Sequence, residues 1–86
     1  MDEKIRVAIE AIEKRLAEKA MNRFYNARVR EGYEEALEVL KSGKTDYADI
    51  KCESDQSRCI VALVMDYMKG ECDLEVITNV PIRKRK

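Results

Sequence analysis

The side chains that could do chemistry in this sequence are defined first by a gap, because it contains no histidine. That removes the commonest general acid/base, the usual zinc ligand, and the base of any Ser/His or Cys/His nucleophile pair. Three cysteines are present, Cys52, Cys59 and Cys72, with six and twelve residues between them. Zinc modules bring ligands together in close C-x₂₋₄-C pairs and use four of them. This spacing does neither, so no metal site is expected. The cysteines read as small core hydrophobes, and Cys52 and Cys59 would face each other as a cross-strand disulfide or thiol switch if their segments pair. Asp66 and Asp73 could form a carboxylate pair able to raise a pKa or hold a cation. Lys51 and Lys69 nearby make a solvated charged face the plainer reading. The three glycines are scattered and build neither a P-loop nor a G-x-G-x-x-G turn. No cofactor and no catalysis are expected.

Basic residues form the one other chemical pattern. Arg23, Arg28 and Arg30 are interleaved with Phe24, Tyr25 and Asn26, and the chain ends in Arg83, Lys84, Arg85 and Lys86. Arginines beside aromatics can hold single-stranded nucleic acid by charge and stacking. Two observations count against it. Phe24 falls on the apolar stripe of a long helix, and arginines late in a helix suit the negative end of its dipole. The charge balance is also divided. The chain has 17 basic and 17 acidic residues; without the four of the tail, 13 basic residues face 17 acidic ones, a net −4. A dedicated nucleic-acid binder usually has a basic folded face.

Those residues must be positioned by a chain of 86 residues, enough for one small domain, assigned to residues 1–80 with a basic tail over 81–86. No run approaches the roughly 18 apolar residues of a membrane span, and MDEKIR lacks the apolar core of a signal peptide. The expectation is a cytoplasmic protein with reduced thiols and no membrane partner.

Ile5, Ile9, Ile12, Leu16, Ala20, Phe24 and Ala27 keep one apolar stripe, which predicts one amphipathic helix over residues 2–30. Gly32 then breaks the pattern. A second helix over 33–42 is expected, with Gly43 ending it, although a single bent helix through Gly32 would cost only about 1 kcal/mol.

From residue 47 the period changes. Ala48, Ile50 and Cys52 alternate with charged residues, and two turn signals follow, Ser54–Ser57 and Lys69–Gly70. Strands over 47–53, 58–68 and 72–79 pair in a register that gathers the apolar residues on one face. The expected fold is therefore α+β, two N-terminal helices on a three-stranded antiparallel meander. The alternative is mostly α, with residues 55–69 as a third helix capped by Ser54, ended by Gly70 and striped by Ile60, Leu63, Val64 and Tyr67. The meander is preferred because two alternating flanks need a strand between them.

On that fold the second sheet face carries Tyr47, Ile60, Ala62, Val64 and Ile77, too apolar to stay wet. A helix 2–30 of roughly 43 Å would also outreach its own sheet. Both point to a homodimer. The leading functional expectation is a small non-catalytic interaction module acting as a homodimer on a macromolecular, presumed protein, partner. The competing one is a nucleic-acid-binding or regulatory protein using the tail and the helix-end arginines.

Overall fold

The computed structural model describes residues 3–43 and 54–83. The first amphipathic stripe does form a helix, α1, over Glu3–Leu16, with Ala8, Ile9 and Ile12 buried. Glu3 lies in its first turn and Lys14 and Arg15 in its last, as the helix dipole favours. The expected continuation to residue 30 does not occur. Glu18 and Arg23 take extended backbone, and between and after them come two 3₁₀ turns, Lys19–Asn22 and Phe24–Asn26. The reason lies in packing. A straight 2–30 helix would exceed the molecule's longest dimension, 38 Å, whereas folding back lays the next helix against α1. The turn buries Met21 and Asn26 and leaves Phe24 outside. Asn22, Phe24, Tyr25 and Asn26 are middling helix formers, so local propensity opposes the break only weakly.

The second helix, α2, spans Ala27–Ser42 and runs straight through Gly32. The break expected at Gly32, with a helix starting at 33, is thereby corrected. A Cβ at Gly32 would lie 2.9 Å from both the Ser57 Cα and the Ile60 Cδ1. Gly32 therefore serves the close approach of a neighbouring helix. Gly43 ends α2 as expected, its N–H donating to the Val39 carbonyl at 2.9 Å.

The neighbouring helix is α3, Asp55–Met68. It overturns the expected meander: residues 58–68 are helical, residues 72–79 contain the short helix α4 (Leu74–Thr78), and no strand occurs among the described residues. The segment 47–53 lies outside them. What decided the ambiguous apolar run is its ends. The Ser54 hydroxyl accepts from the Ser57 N–H at 3.2 Å, an N-cap. At the other end Gly70 takes φ 81°; its N–H donates to the Tyr67 carbonyl and the Glu71 N–H to that of Asp66, a Schellman closure. Between them Ser57, Ile60, Val61, Val64 and Met65 are buried, steps of three, one, three and one that fit a helix face. The two turn signals read as hairpins are the two caps of one helix.

The core is the seam among these helices. Tyr33, Ile12, Met21, Val29, Val39, Ile60, Val61, Val64 and Ile77 are essentially inaccessible. Two tyrosines tie the ends together: Tyr33 Oη donates to the Ile77 carbonyl at 2.6 Å and Tyr67 Oη to the Lys4 carbonyl at 2.9 Å. Of the residues expected on a partner-binding sheet face, Ile60, Val64 and Ile77 are spent on this core and Ala62 is half-buried, while Tyr47 lies outside the described residues.

The last described segment is not free of the body. Ile82 packs on the core, and an Arg15 guanidinium nitrogen donates to the Val80 carbonyl.

Candidate functional site

The reversal between α1 and α2 has one buried polar side chain at its centre, Asn26, 2% exposed. Its Nδ2 donates to the Ala20 carbonyl at 2.8 Å and to the Arg83 carbonyl at 2.9 Å, while the Arg83 N–H donates to Oδ1 at 3.0 Å. The amide thus closes the turn and holds the C-terminal segment against it. Because it is used there, it makes no side-chain bond to the first N–H groups of α2.

An open cleft of about 820 Å³ results, lined by Phe24, Tyr25 and Arg28 on the α2 side, by Gln56 at the start of α3, and by Arg83 opposite. Phe24 is 88% exposed. It meets Tyr25 edge to face, with ring centroids 5.7 Å apart. Leaving a Phe ring in water forgoes roughly 1.5–3 kcal/mol of burial.

Glu31 also lines the cleft. Its Oε1 lies 3.1 Å from the Ser57 Oγ, and Ser57 is wholly buried. That hydroxyl has one proton and two acceptors, since the Ser54 carbonyl is 3.0 Å away. The charged acceptor makes the stronger bond. The Ser54 hydroxyl is 2.7 Å from the Ser57 Oγ and serves as its second partner.

The expected basic residues divide. Arg28 and Arg83 line the cleft; Arg23 is exposed beside Phe24; Arg30 is half-buried and away from it. Lys84, Arg85 and Lys86 lie outside the described residues. The dipole argument that made these arginines unremarkable also reverses. Arg28 is the second residue of α2, not a late residue of α1, and the first turn of α2 has no acidic residue. A cation at the positive end of a helix is disfavoured by about 0.3–1 kcal/mol.

Other expected chemistry is dispersed. Cys59 is exposed on α3 and Cys72 half-buried, which corrects the picture of three core thiols for Cys59; Cys52 is not described. Burial, then the Asp66 and Asp73 carboxylates, push the Cys72 thiol up from its usual range, and its Sγ–H donates to the Leu63 carbonyl at 3.3 Å. Among the described residues no group of acidic or thiol side chains could hold a metal ion, and no helix is long and apolar enough to cross a membrane.

A second hollow of about 340 Å³ lies by Ala11, Lys14, Arg15, Glu18 and Thr78. Arg15 there is a structural staple, bridged to Glu18 at 3.2 Å and stacked over the Tyr33 ring at 5.8 Å.

Sequence reasoning found Phe24, Tyr25, Arg28 and Arg83 but not Glu31, Gln56 or the clasp by Asn26. The last had one faint signal, two asparagines in five residues of an otherwise helical pattern. Comparison of the chain with protein-family models, with curated proteins and with solved structures finds no significant match.

Proposed function

We propose that this chain is a non-catalytic binding module that holds single-stranded nucleic acid across the cleft between Phe24 and Arg83. The observation that carries the reading is the convergence of the exposed Phe24, with the half-buried Tyr25 against it, and of Arg28 and the distant Arg83 on one open cleft. Exposed rings stack on bases of any sequence, and arginines track the phosphates. The N-terminal turn of α2, not capped by Asn26, adds a positive dipole end to the same wall. An arginine at that end is costly for folding and useful for an anion. The near-neutral total charge does not oppose this, because the cleft lining holds two arginines against one acid, Glu31, and the basic tail follows Arg83 in sequence.

The homodimer expectation loses its two supports, since the long helix folds back and the apolar sheet face does not exist among the described residues. A second copy covering Phe24 is therefore treated as an outcome of the test. Labelled 12-nucleotide RNA and DNA single strands of mixed sequence are titrated with the full chain at 50–300 mM salt. Binding is expected to weaken with salt at a slope of about −0.7 per phosphate contact. Phe24→Ala should weaken it roughly 5- to 100-fold, the range set by one stacked base. Absence of binding at 50 mM salt overturns the reading. So does a dimer in sedimentation that Phe24→Ala dissociates while strand binding is unchanged.

A further inference from the structure

The two arginines of the cleft are held in different ways. Arg28 rides on α2, whose backbone is fixed by its own hydrogen bonds. Arg83 has no such frame, because residues 80–83 belong to no helix. Its place depends on contacts with the body: Ile82 on the core, an Arg15 guanidinium nitrogen donating to the Val80 carbonyl, and Asn26. Of these three, Asn26 alone bonds residue 83 itself. It takes both main-chain groups, the carbonyl at 2.9 Å and the N–H at 3.0 Å. The guanidinium is left to the cleft, since Arg83 is exposed and no ion pair engages it among the described residues. Asn26 also borders the cleft, but it has nothing to offer a strand directly. It is 2% exposed, and its two amide protons are spent on the Ala20 and Arg83 carbonyls.

Resting on the nucleic-acid reading, we infer that Asn26 is a positioning residue for the strand: it acts on binding through Arg83, by clamping the backbone that carries the guanidinium to the turn that carries Phe24. Clamp and strand are then coupled in both directions. A docked segment offers Arg83 to a phosphate, and a phosphate held by Arg83 opposes release of the segment. Release costs the strand one phosphate contact and leaves stacking on Phe24. The two halves of the device are separable, because the clasp uses main-chain atoms of residue 83. Arg83→Ala removes the guanidinium and keeps both bonds; Asn26→Ala does the reverse.

The full chain is titrated with the labelled 12-nucleotide strands at 50–300 mM salt. Deuterium exchange of the residue 83 amide is followed by NMR with and without saturating strand. In the wild type the strand is expected to slow this exchange, which proceeds by local opening. Reciprocity sets the size: the slowing should equal the factor by which Arg83→Ala weakens binding. In Arg83→Ala the strand should still bind but no longer slow exchange at residue 83. Asn26→Ala should reduce the salt slope by about 0.7, one phosphate contact. In the Arg83→Ala background it should have no further effect on affinity, the mark of a residue that acts through another. Three results overturn the positioning role and leave the binding reading standing. They are unchanged exchange in the wild type, slowing that persists in Arg83→Ala, and an Asn26→Ala loss as large in that background as in the wild type. Should Asn26→Ala not fold, the exchange measurements on the wild type and Arg83→Ala decide alone. If no strand binds, the binding reading itself fails.

Discussion

The side-chain amide of Asn26 and the main chain of Arg83 form a closed two-bond ring, with Nδ2 donating to the Arg83 carbonyl at 2.9 Å and the Arg83 N–H donating to Oδ1 at 3.0 Å. The geometry mimics one rung of a β-ladder, supplied on one side by a side chain. It joins the α1–α2 reversal to residues 57 positions later, and Nδ2 also satisfies the Ala20 carbonyl. Asn26→Ala is therefore expected to cost about 2–3 kcal/mol, since it leaves partly buried groups without partners. Asn26→Asp should be at least as damaging at pH 7, because a carboxylate cannot donate to the two carbonyls it would face. Those carbonyls raise its folded-state pKa above the unfolded value near 4, so this deficit should shrink as pH falls through that range. Urea unfolding at pH 7 and pH 4 reads both effects; equal stability of Asn26→Asp and the wild type at pH 7 would contradict the clasp.

Gly32 gives a second prediction of opposite sign to its helix propensity. In an exposed helix, Gly→Ala gains about 1 kcal/mol. Here the new methyl would meet the Ser57 Cα and Ile60 Cδ1 at 2.9 Å, and the first of these is backbone that cannot swing aside. Overpacking of this kind costs about 1–3 kcal/mol. Gly32→Ala is expected to lower the urea midpoint at an unchanged m-value, a net loss of about 1 kcal/mol. A rise in the midpoint would mean that α2 and α3 are further apart than described.

The same glycine shows where the sequence could be read and where it could not. Local signals were legible: the α1 stripe, the Gly43 stop, and the Ser54 and Gly70 punctuation around residues 55–69. Their meaning depended on what lay beside them. Gly32 looks the same whether it breaks a helix or admits a neighbour, and Ser54 and Gly70 look the same as turn residues or as caps. The run Ile60–Met65 satisfies both periods, so the decision passed to flanks whose first part, 47–53, lies outside the described residues. The reversal after Leu16 had no breaker to mark it. It is imposed by the gain from packing α2 against α1, a tertiary effect that overrides propensity. For the site, residue types were legible as Arg with aromatics, but their convergence was not. Arg83 is brought to the cleft by the Asn26 clasp together with Ile82 on the core and Val80 held by Arg15, and Glu31 is bonded there by Ser57 of α3.

Tyr33 predicts a limit to stability at high pH. The residue is fully buried and donates to the Ile77 carbonyl. Burial is the main cause that holds its pKa above the usual phenol value of 10.0. A folded-state pKa above the unfolded one means that the native state keeps a proton the unfolded state loses. The associated stability is fully present below about pH 10 and is lost as pH rises through the folded-state value. Tyr33→Phe removes this linkage. It is expected to cost about 1–2 kcal/mol at pH 7 through the orphaned carbonyl and to flatten the decline above about pH 10. Urea midpoints of both proteins across that range test it; parallel declines would exclude Tyr33 as a source.

The cysteines separate by environment, and reactivity should follow. Cys59 is exposed on α3. Cys72 is half-buried, its Sγ–H donates to the Leu63 carbonyl at 3.3 Å, and burial together with the Asp66 and Asp73 carboxylates raises its pKa. The thiolate is the reactive species, so at pH 7.5 Cys72 has both fewer thiolates and a poorer approach. In a Cys52→Ser background, alkylation followed by mass spectrometry should label Cys59 at least several-fold faster than Cys72. Raising the pH should narrow the gap as the Cys72 thiolate forms. Asp73→Asn removes one of the two aspartates that oppose that thiolate and leaves burial, the larger cause, in place. It is expected to quicken Cys72 labelling modestly, with Cys59 as the internal control. Labelling of Cys72 at the rate of Cys59 would show that the α3–α4 corner is open in solution, because neither the hydrogen bond nor the two carboxylates could then be in place.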